Sequence, residues 1–255
     1  TDAQLRKGPN VTQSKSLPKS GMLSSIPDPR AIPSVRNPDG DAALASHALS
    51  PAALQRRFSL DLPWQPDVVQ ELQWQHIETW REAAVLIGLV LREEPTLLLT
   101  QRSAHVPTHA AQIAFPGGKV DASDHDARAA ALREAHEEVG LPIENVSVLG
   151  EVGRYTTGSG FRITPVVALI EPPPVFRPNP GEVDAVFEVP LSFIMNPDNH
   201  HKHQLNMGDN GEIRRQWWSM PYHDPAQNVE RYIWGATAGM LRNFYRFLSA
   251  ESPLA

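Results

Sequence analysis

The apolar positions change period along the chain. AAVLIGLVL, residues 83–91, is an unbroken apolar run of strand length, the pattern of a strand buried on both faces. Glu93-Glu94-Pro95 then predicts a turn, and TLLLTQRS, residues 96–103, a hairpin partner. From about Asp126 to Val139 the spacing becomes helical. VSVLGEVGRY and FRITPVVALI read as further strands joined by the loop TTGSG. The Pro-rich IEPPPVFRPNPGEVD is a long irregular connection, and loops of that length are often functional. Asp209-Asn210-Gly211 predicts a hairpin turn between HKHQLNM and EIRRQWWSM. ERYIW is a strand, and ATAGMLRNFYRFL an amphipathic helix. Strands with interspersed helices and a mostly antiparallel run place the chain in the α/β class, as a sandwich.

The regions before this body read differently. Residues 1–45 are rich in Pro, Ser, Asn and Gly and carry few large apolar groups, which predicts a flexible tail. Residues 46–81 predict a helical packing arm. In SPAALQRRFSL, Ser50 is the N-cap, Pro51 sits in the first turn, and Leu54 and Phe58 lie four apart. The three tryptophans that follow suit packing over the main domain, with a homodimer contact as the alternative. Residues 82–255 form the main domain.

Composition narrows the partners. The 255 residues are 41% hydrophobic and 20% charged, with a net charge of −6 and no cysteine. An acidic balance argues against a nucleic-acid partner. Disulfides, thiolate metal sites and cysteine nucleophiles are excluded, and a reducing, cytoplasmic location fits. No run approaches the length of a transmembrane helix, and TDAQLRKGPNVTQSKSLPKSG lacks the apolar segment of a signal peptide, so no membrane partner is expected.

The candidate chemistry lies in FPGGKVDASDHDARAAALREAHEEVGL, residues 115–141. Three glutamates fall within five residues, Glu134, Glu137 and Glu138, a crowding that costs an ordinary surface helix stability. On a helix at about 100° per residue they share one arc of about 100°, while Leu132, Ala135 and Val139 share another that can pack on a sheet. Arg133 borders the acidic arc and could orient a carboxylate. The glycines of FPGG let backbone approach whatever the carboxylates hold. Oxygen ligands in this number suit Mg²⁺ or Mn²⁺ at a phosphate site.

This stretch resembles the Nudix box: Gly, five residues, Glu, seven residues, Arg-Glu, an aliphatic, any residue, Glu-Glu, any residue, Gly, an aliphatic. Arg133 to Leu141 supplies the second half and Gly118 the first glycine. The first acid is Asp124, one residue further from Arg133 than in the pattern. Upstream, LLLTQRSAHVPTHAAQIAFPGG is similar to a signature of the coenzyme A pyrophosphatase branch. Leu98, Leu99, Thr100, Arg102, Ser103 and Phe115 to Gly118 match it, whereas Pro107 replaces an arginine and Ala111 a glycine.

The resemblance implies a Nudix-type α/β/α sandwich with a mixed, mostly antiparallel sheet. It implies hydrolysis of the pyrophosphate of coenzyme A or acyl-CoA to 3′,5′-ADP and 4′-phosphopantetheine. Glu134 and Glu138, with the backbone of Gly117 or Gly118, would hold the metal. Glu137 would be a further ligand or orient water, Arg133 would fix the carboxylates, and Glu182 in PGEVD would be the general base. Arg102 and Ser103 would bind substrate. Alternatives are a pyrophosphatase acting on ADP-ribose, a dinucleotide or an oxidised nucleotide, and a non-catalytic nucleotide-binding module.

Three further features read as structural or ambiguous. Glu188 in FEVPL is expected to support the fold. His200, His201 and His203 in NPDNHHKH are expected to lie in a solvated turn rather than at a zinc site. Trp217 and Trp218 alternate along a strand, so one is expected in the core and the other at a substrate groove or dimer contact.

Overall fold

The structure is a computed structural model that describes residues 28–68, 77, 79–104, 111–171, 175–207 and 213–250. Residues up to Ile32 fall in one unit and those from Pro33 in another. In the first, a 3-10 turn spans Pro29–Ala31, and its N-cap Asp28 accepts from the Arg30 N–H at 3.0 Å.

The second unit runs β1 (Ser34–Arg36), α1 (Pro51–Ser59), β2 (Arg81–Val90), β3 (Thr96–Arg102), β4 (Ile113–Ala114), β5 (Gly117–Lys119), α2 (Ala127–Val139), β6 (Val146–Glu151), β7 (Tyr155–Thr156) and β8 (Phe161–Ile170). It continues through β9 (Val183–Pro190), α3 (Leu191–Ile194), β10 (His201–Met207), β11 (Ile213–Asp224), β12 (Val229–Trp234) and α4 (Gly235–Leu248). The expected strands and both long helices are present. Among the described residues no helix is long and apolar enough to cross a membrane.

Strand β2 is the hub of the larger, mixed sheet. It runs parallel to β8 from Arg81↔Phe161 to Val90↔Ile170 and antiparallel to β5 at its start and β3 at its end. The predicted β2–β3 hairpin exists, but only Leu89↔Leu97 and Val90↔Thr96 pair across it. Beyond that point β3 pairs with β9 and β4. A second sheet, in the order β1-β10-β11-β12, is wholly antiparallel.

Both faces of β2 and β8 are covered, which explains their unbroken apolar runs. Ala84, Leu86, Val90, Val166, Ala168 and Ile170 pack against Ala130, Ala131, Ala135 and Val139 of α2. Ile87, Leu89, Val167 and Leu169 face the other way, into a core with Trp218 and Met220 of β11 and Leu241 and Phe244 of α4. Each of the larger side chains among these, Val, Leu, Ile, Met or Phe, contributes about 1.5–3 kcal/mol by leaving water. The result is a sandwich with α2 on one face of the mixed sheet and α4 with the second sheet on the other.

Several expectations are corrected here. Residues 33–45 do not behave as a tail. Ser34–Arg36 pairs with His201–His203, and Asp39 and Asp41 each place a carboxylate oxygen 2.6 Å from Nη2 of Arg242. The Arg242 side chain is 1% exposed, so its charge requires partners brought from elsewhere in the chain; Asp67 is a third, at 3.4 Å. Composition hid this because the anchoring groups are aspartates.

The histidines are not in a solvated turn. His200 is 0% exposed and His203 4%. His200 Nε2 lies 2.7 Å from the Ile194 carbonyl and Nδ1 3.3 Å from Arg242 Nη1, so the ring donates from Nε2 and accepts at Nδ1. His203 hydrogen-bonds Ser219 Oγ at 2.8 Å and stacks on Trp217. Trp217 and Trp218 are both buried: Trp218 enters the core with α4, and the Trp217 ring stacks on its cross-strand neighbour His203 of β10. The turn predicted at Asp209-Asn210-Gly211 lies outside the described residues, although β10 and β11 on either side of it pair antiparallel.

Residues 46–68 lie on the end of α4. Leu49 and Leu54 enter the core, Arg57 Nε donates to the Phe247 carbonyl at 2.8 Å, and the Phe58 and Trp64 rings meet Phe247. The predicted cap is present: Ser50 Oγ accepts from Ala53 N–H.

Candidate active site

Helix α2 begins at the N-cap Asp126, which accepts from Ala129 N–H at 2.9 Å. It ends at Gly140, whose left-handed φ of 66° closes the last turn, with Leu141 N–H bonding back to the Ala135 carbonyl. The alanine face on the sheet leaves Glu134 and Glu138 beside β5, and glycines make that approach feasible. A Cβ on Gly118 would collide with the Glu134 carboxylate, and one on Gly117 would meet the Ala84 carbonyl and Val85 Cα.

Glu138 is the buried acid, 3% exposed. Its Oε2 accepts from Gly117 N–H at 3.2 Å, and its Oε1 lies 3.6 Å from Nη1 of Arg102. Burial pushes its carboxyl up to about 7, against the pull of Gly117 and Arg102. Glu134 is also raised, chiefly by burial; Arg133 opposes the shift, and the charges of Glu137 and Glu182 add to it.

Arg133 organises the opposite side. Its Nε and Nη2 each lie 2.9 Å from an oxygen of Asp124, Nη1 is 2.9 Å from Glu134 Oε1 and 3.2 Å from Glu137 Oε2, and Nη2 donates to the Lys119 carbonyl. The longer spacing between Asp124 and Arg133 therefore does not separate them. The Asp124 carboxyl is held below the usual carboxylate range, first by Arg133 and then by the Asp121 N–H.

Glu137 stands apart from the other two acids. Its side chain is 52% exposed and paired with Arg133. The three glutamates share an arc of the helix, but among the described residues no three acidic or histidine side chains gather closely enough to enclose an ion.

The loop after β8 closes another side. Arg177 and Asn179 donate their backbone N–H groups to the Val139 and Glu138 carbonyls, both at 2.8 Å. Glu182 follows, exposed, its charge felt at both Glu134 and Glu138. The Glu182 carbonyl accepts from Ser103 N–H at 2.8 Å, and Asp184 Oδ2 accepts from Ala104 N–H at 3.0 Å. A register shift between Gln101 and Arg102 marks a bulge there, a device that re-aims a strand's side chains.

The structure thus brings together Arg102, Ser103, Gly118, Arg133, Glu134, Glu138 and Glu182, with Glu137 at the rim. Sequence reasoning missed Asp184, and only its place two residues after Glu182 could have pointed to it. Pro107 lies outside the described residues. Ala111, where the signature has glycine, takes a left-handed φ of 57°. Glu188 belongs to a separate pair and accepts from Arg92 at 2.7 and 3.1 Å.

The donor set suits a hard divalent cation. Two carboxylates one turn apart flank a glycine cradle that a single Cβ would fill, and burial raises both carboxyls.

The chain is similar to known proteins. Residues 80–218 match the NUDIX domain family. A relative from Enterobacter sp. (strain 638), described as an uncharacterized Nudix hydrolase NudL, is 44% identical over 162 residues, 64% of this chain and 80% of its own length. The NudL of Escherichia coli (strain K12) is 45% identical over 163 residues, with the same coverage. Among solved structures, RenU, a Nudix hydrolase from M. Smegmatis, is 27% identical with a TM-score of 0.37 over 43% of this chain and 70% of its own.

Proposed function

Because the chain belongs to the Nudix family, we propose that it is a metal-dependent pyrophosphohydrolase that cleaves the diphosphate of coenzyme A or an acyl-CoA. The observation that carries this reading is Arg102, whose guanidinium the end of β3 sets 3.6 Å from the buried Glu138. There it can meet a diphosphate that the acids alone would repel.

Glu134 and Glu138, with the Gly118 backbone, would hold Mg²⁺ or Mn²⁺. Such an ion supplies charge neutralisation on the diphosphate and a bound water of lowered pKa. Arg133, locked by Asp124, keeps Glu134 in its rotamer. Arg102 takes a phosphate oxygen, with Ser103 beside it. Glu182 accepts the proton of the attacking water from across the site. Water adds to one phosphorus, the P–O–P bond breaks, and 3′,5′-ADP and 4′-phosphopantetheine leave.

The test is direct. Incubate the protein with CoA, ADP-ribose, NADH and 8-oxo-dGTP, each with Mg²⁺ or Mn²⁺, and identify the products by mass. Release of 3′,5′-ADP from CoA alone is expected. Cleavage of ADP-ribose in preference to CoA would overturn the substrate. Glu138→Gln, which removes charge with little change of shape, is expected to cut turnover at least about 100-fold while the fold survives. Near wild-type turnover at saturating Mg²⁺ would refute the metal assignment.

A further inference from the structure

We infer that Arg102 is a two-position residue. Without metal it stands in for the cation at Glu138; once the ion takes Glu138, the guanidinium turns to the substrate's phosphate. The inference rests on the metal site proposed above and concerns what couples that site to substrate.

Three features of the contact support it. The first is the asymmetry of Glu138. Its Oε2 is tied to Gly117 N–H, whereas Oε1, the oxygen left for a metal, has Arg102 as its counter-charge at 3.6 Å. The second is how loosely Arg102 is held there. At 3.6 Å the pair attracts by charge without the short, forked bonds of a locked arginine. Among the described residues, Arg102 Nε is buried with no acceptor. Arg133 is the contrast within the same site: Asp124 grips it at 2.9 Å through both oxygens.

The third feature is the backbone beneath. Arg102 N–H donates to the Gln112 carbonyl, Ser103 N–H to the Glu182 carbonyl and Ala104 N–H to Asp184. The main chain is pinned on both sides while the side chain is not, so Arg102 can change partner without moving the strand. An ion at Glu138 Oε1 and a guanidinium beside it repel, so binding one favours release of the other. A carboxylate and a phosphate oxygen are interchangeable acceptors for the freed fork. Metal and diphosphate then help each other to bind through a residue that never touches the metal, and the coupling is reciprocal.

The experiment titrates Mn²⁺ into the metal-free wild type, Arg102→Gln, Arg102→Lys and Glu138→Gln by calorimetry, with melting curves recorded with and without metal. Arg102→Gln is expected to bind Mn²⁺ about tenfold more tightly, within the usual range of coupling between sites. Its metal-free form is expected to melt lower than wild type, and its Mn²⁺-saturated form not to. An arginine that merely sat nearby would tighten or leave Mn²⁺ binding without stabilising the metal-free protein. Arg102→Lys should restore the metal-free melting temperature in part and Mn²⁺ affinity toward wild type. Methylenediphosphonate, a diphosphate that water cannot cleave, should bind the Mn²⁺-loaded Arg102→Gln protein at least about fivefold more weakly than wild type.

Unchanged or weaker Mn²⁺ binding by Arg102→Gln, or an unchanged metal-free melting temperature, would overturn the inference. Wild-type Mn²⁺ affinity in Glu138→Gln would instead overturn the metal site on which it rests.

Discussion

Asp124 and Arg133 form a forked pair, with Nε and Nη2 each 2.9 Å from a separate carboxylate oxygen. Arg133 reaches Glu134 and Glu137 from this fixed base, so the pair aims the acid proposed to bind metal. Asp124→Ala is expected to lower turnover about 10–100-fold, as loss of a group that orients metal ligands does. Far-ultraviolet circular dichroism should remain that of wild type. Steady-state kinetics at saturating Mg²⁺ check this; full activity would show that Arg133 holds its place without Asp124.

Removal of residues 1–45 is expected to destabilise the protein. The composition alone made this segment dispensable. Its loss takes Asp39 and Asp41 from a buried guanidinium and leaves Asp67 as the remaining carboxylate. It also strips β1 from the edge of β10. A broken buried ion pair costs on the order of 3 kcal/mol. Urea unfolding measures it, and an unchanged midpoint would refute the anchoring role.

Stability should also fall on acidification through His200. Burial first, and then the charge of Arg242, pushes its pKa down to about 4 from an ordinary 6.5. The unfolded chain therefore takes up this proton before the folded one does. The contribution is at its full value above about pH 6.5 and declines as pH falls toward 4, by up to ~3 kcal/mol. Unfolding curves at pH 7, 5.5 and 4.5 for wild type and His200→Asn separate this from the carboxylates. The wild type's stability relative to the variant should shrink with falling pH; a constant difference would count against it.

Ala111→Gly is expected to stabilise the fold. An alanine at a φ of 57° carries about 1–2 kcal/mol of strain, and the added freedom of the unfolded glycine chain cancels part of that gain. A net increase of about 0.5–1 kcal/mol should appear as a higher melting temperature. A lower one would mean that the alanine side chain contributes more than its backbone loses.

The site was legible where chemistry leaves a short-range pattern. Crowded glutamates on a helix, a glycine pair before them and an arginine at the border are local features, and helical geometry alone gives them a shared face. Their divergence was not legible. Which way each carboxylate turns depends on Arg133 and Arg102, and the latter arrives from a strand more than thirty residues earlier. The buried histidines escaped for the same reason: NPDNHHKH looks solvated until α4 supplies Arg242 and β11 supplies Trp218. The parallel β2–β8 pairing was equally invisible, because an apolar run states that a strand is buried and not which strand lies beside it.

The last carbonyls of α2 hold Arg177 and Asn179. One rigid rod therefore carries the acids and hangs the loop that brings Glu182 to face them. The register of that loop is set by the helix and not by the length of chain leading to it. The span across the site is fixed like the gap of a caliper whose two jaws share a single beam.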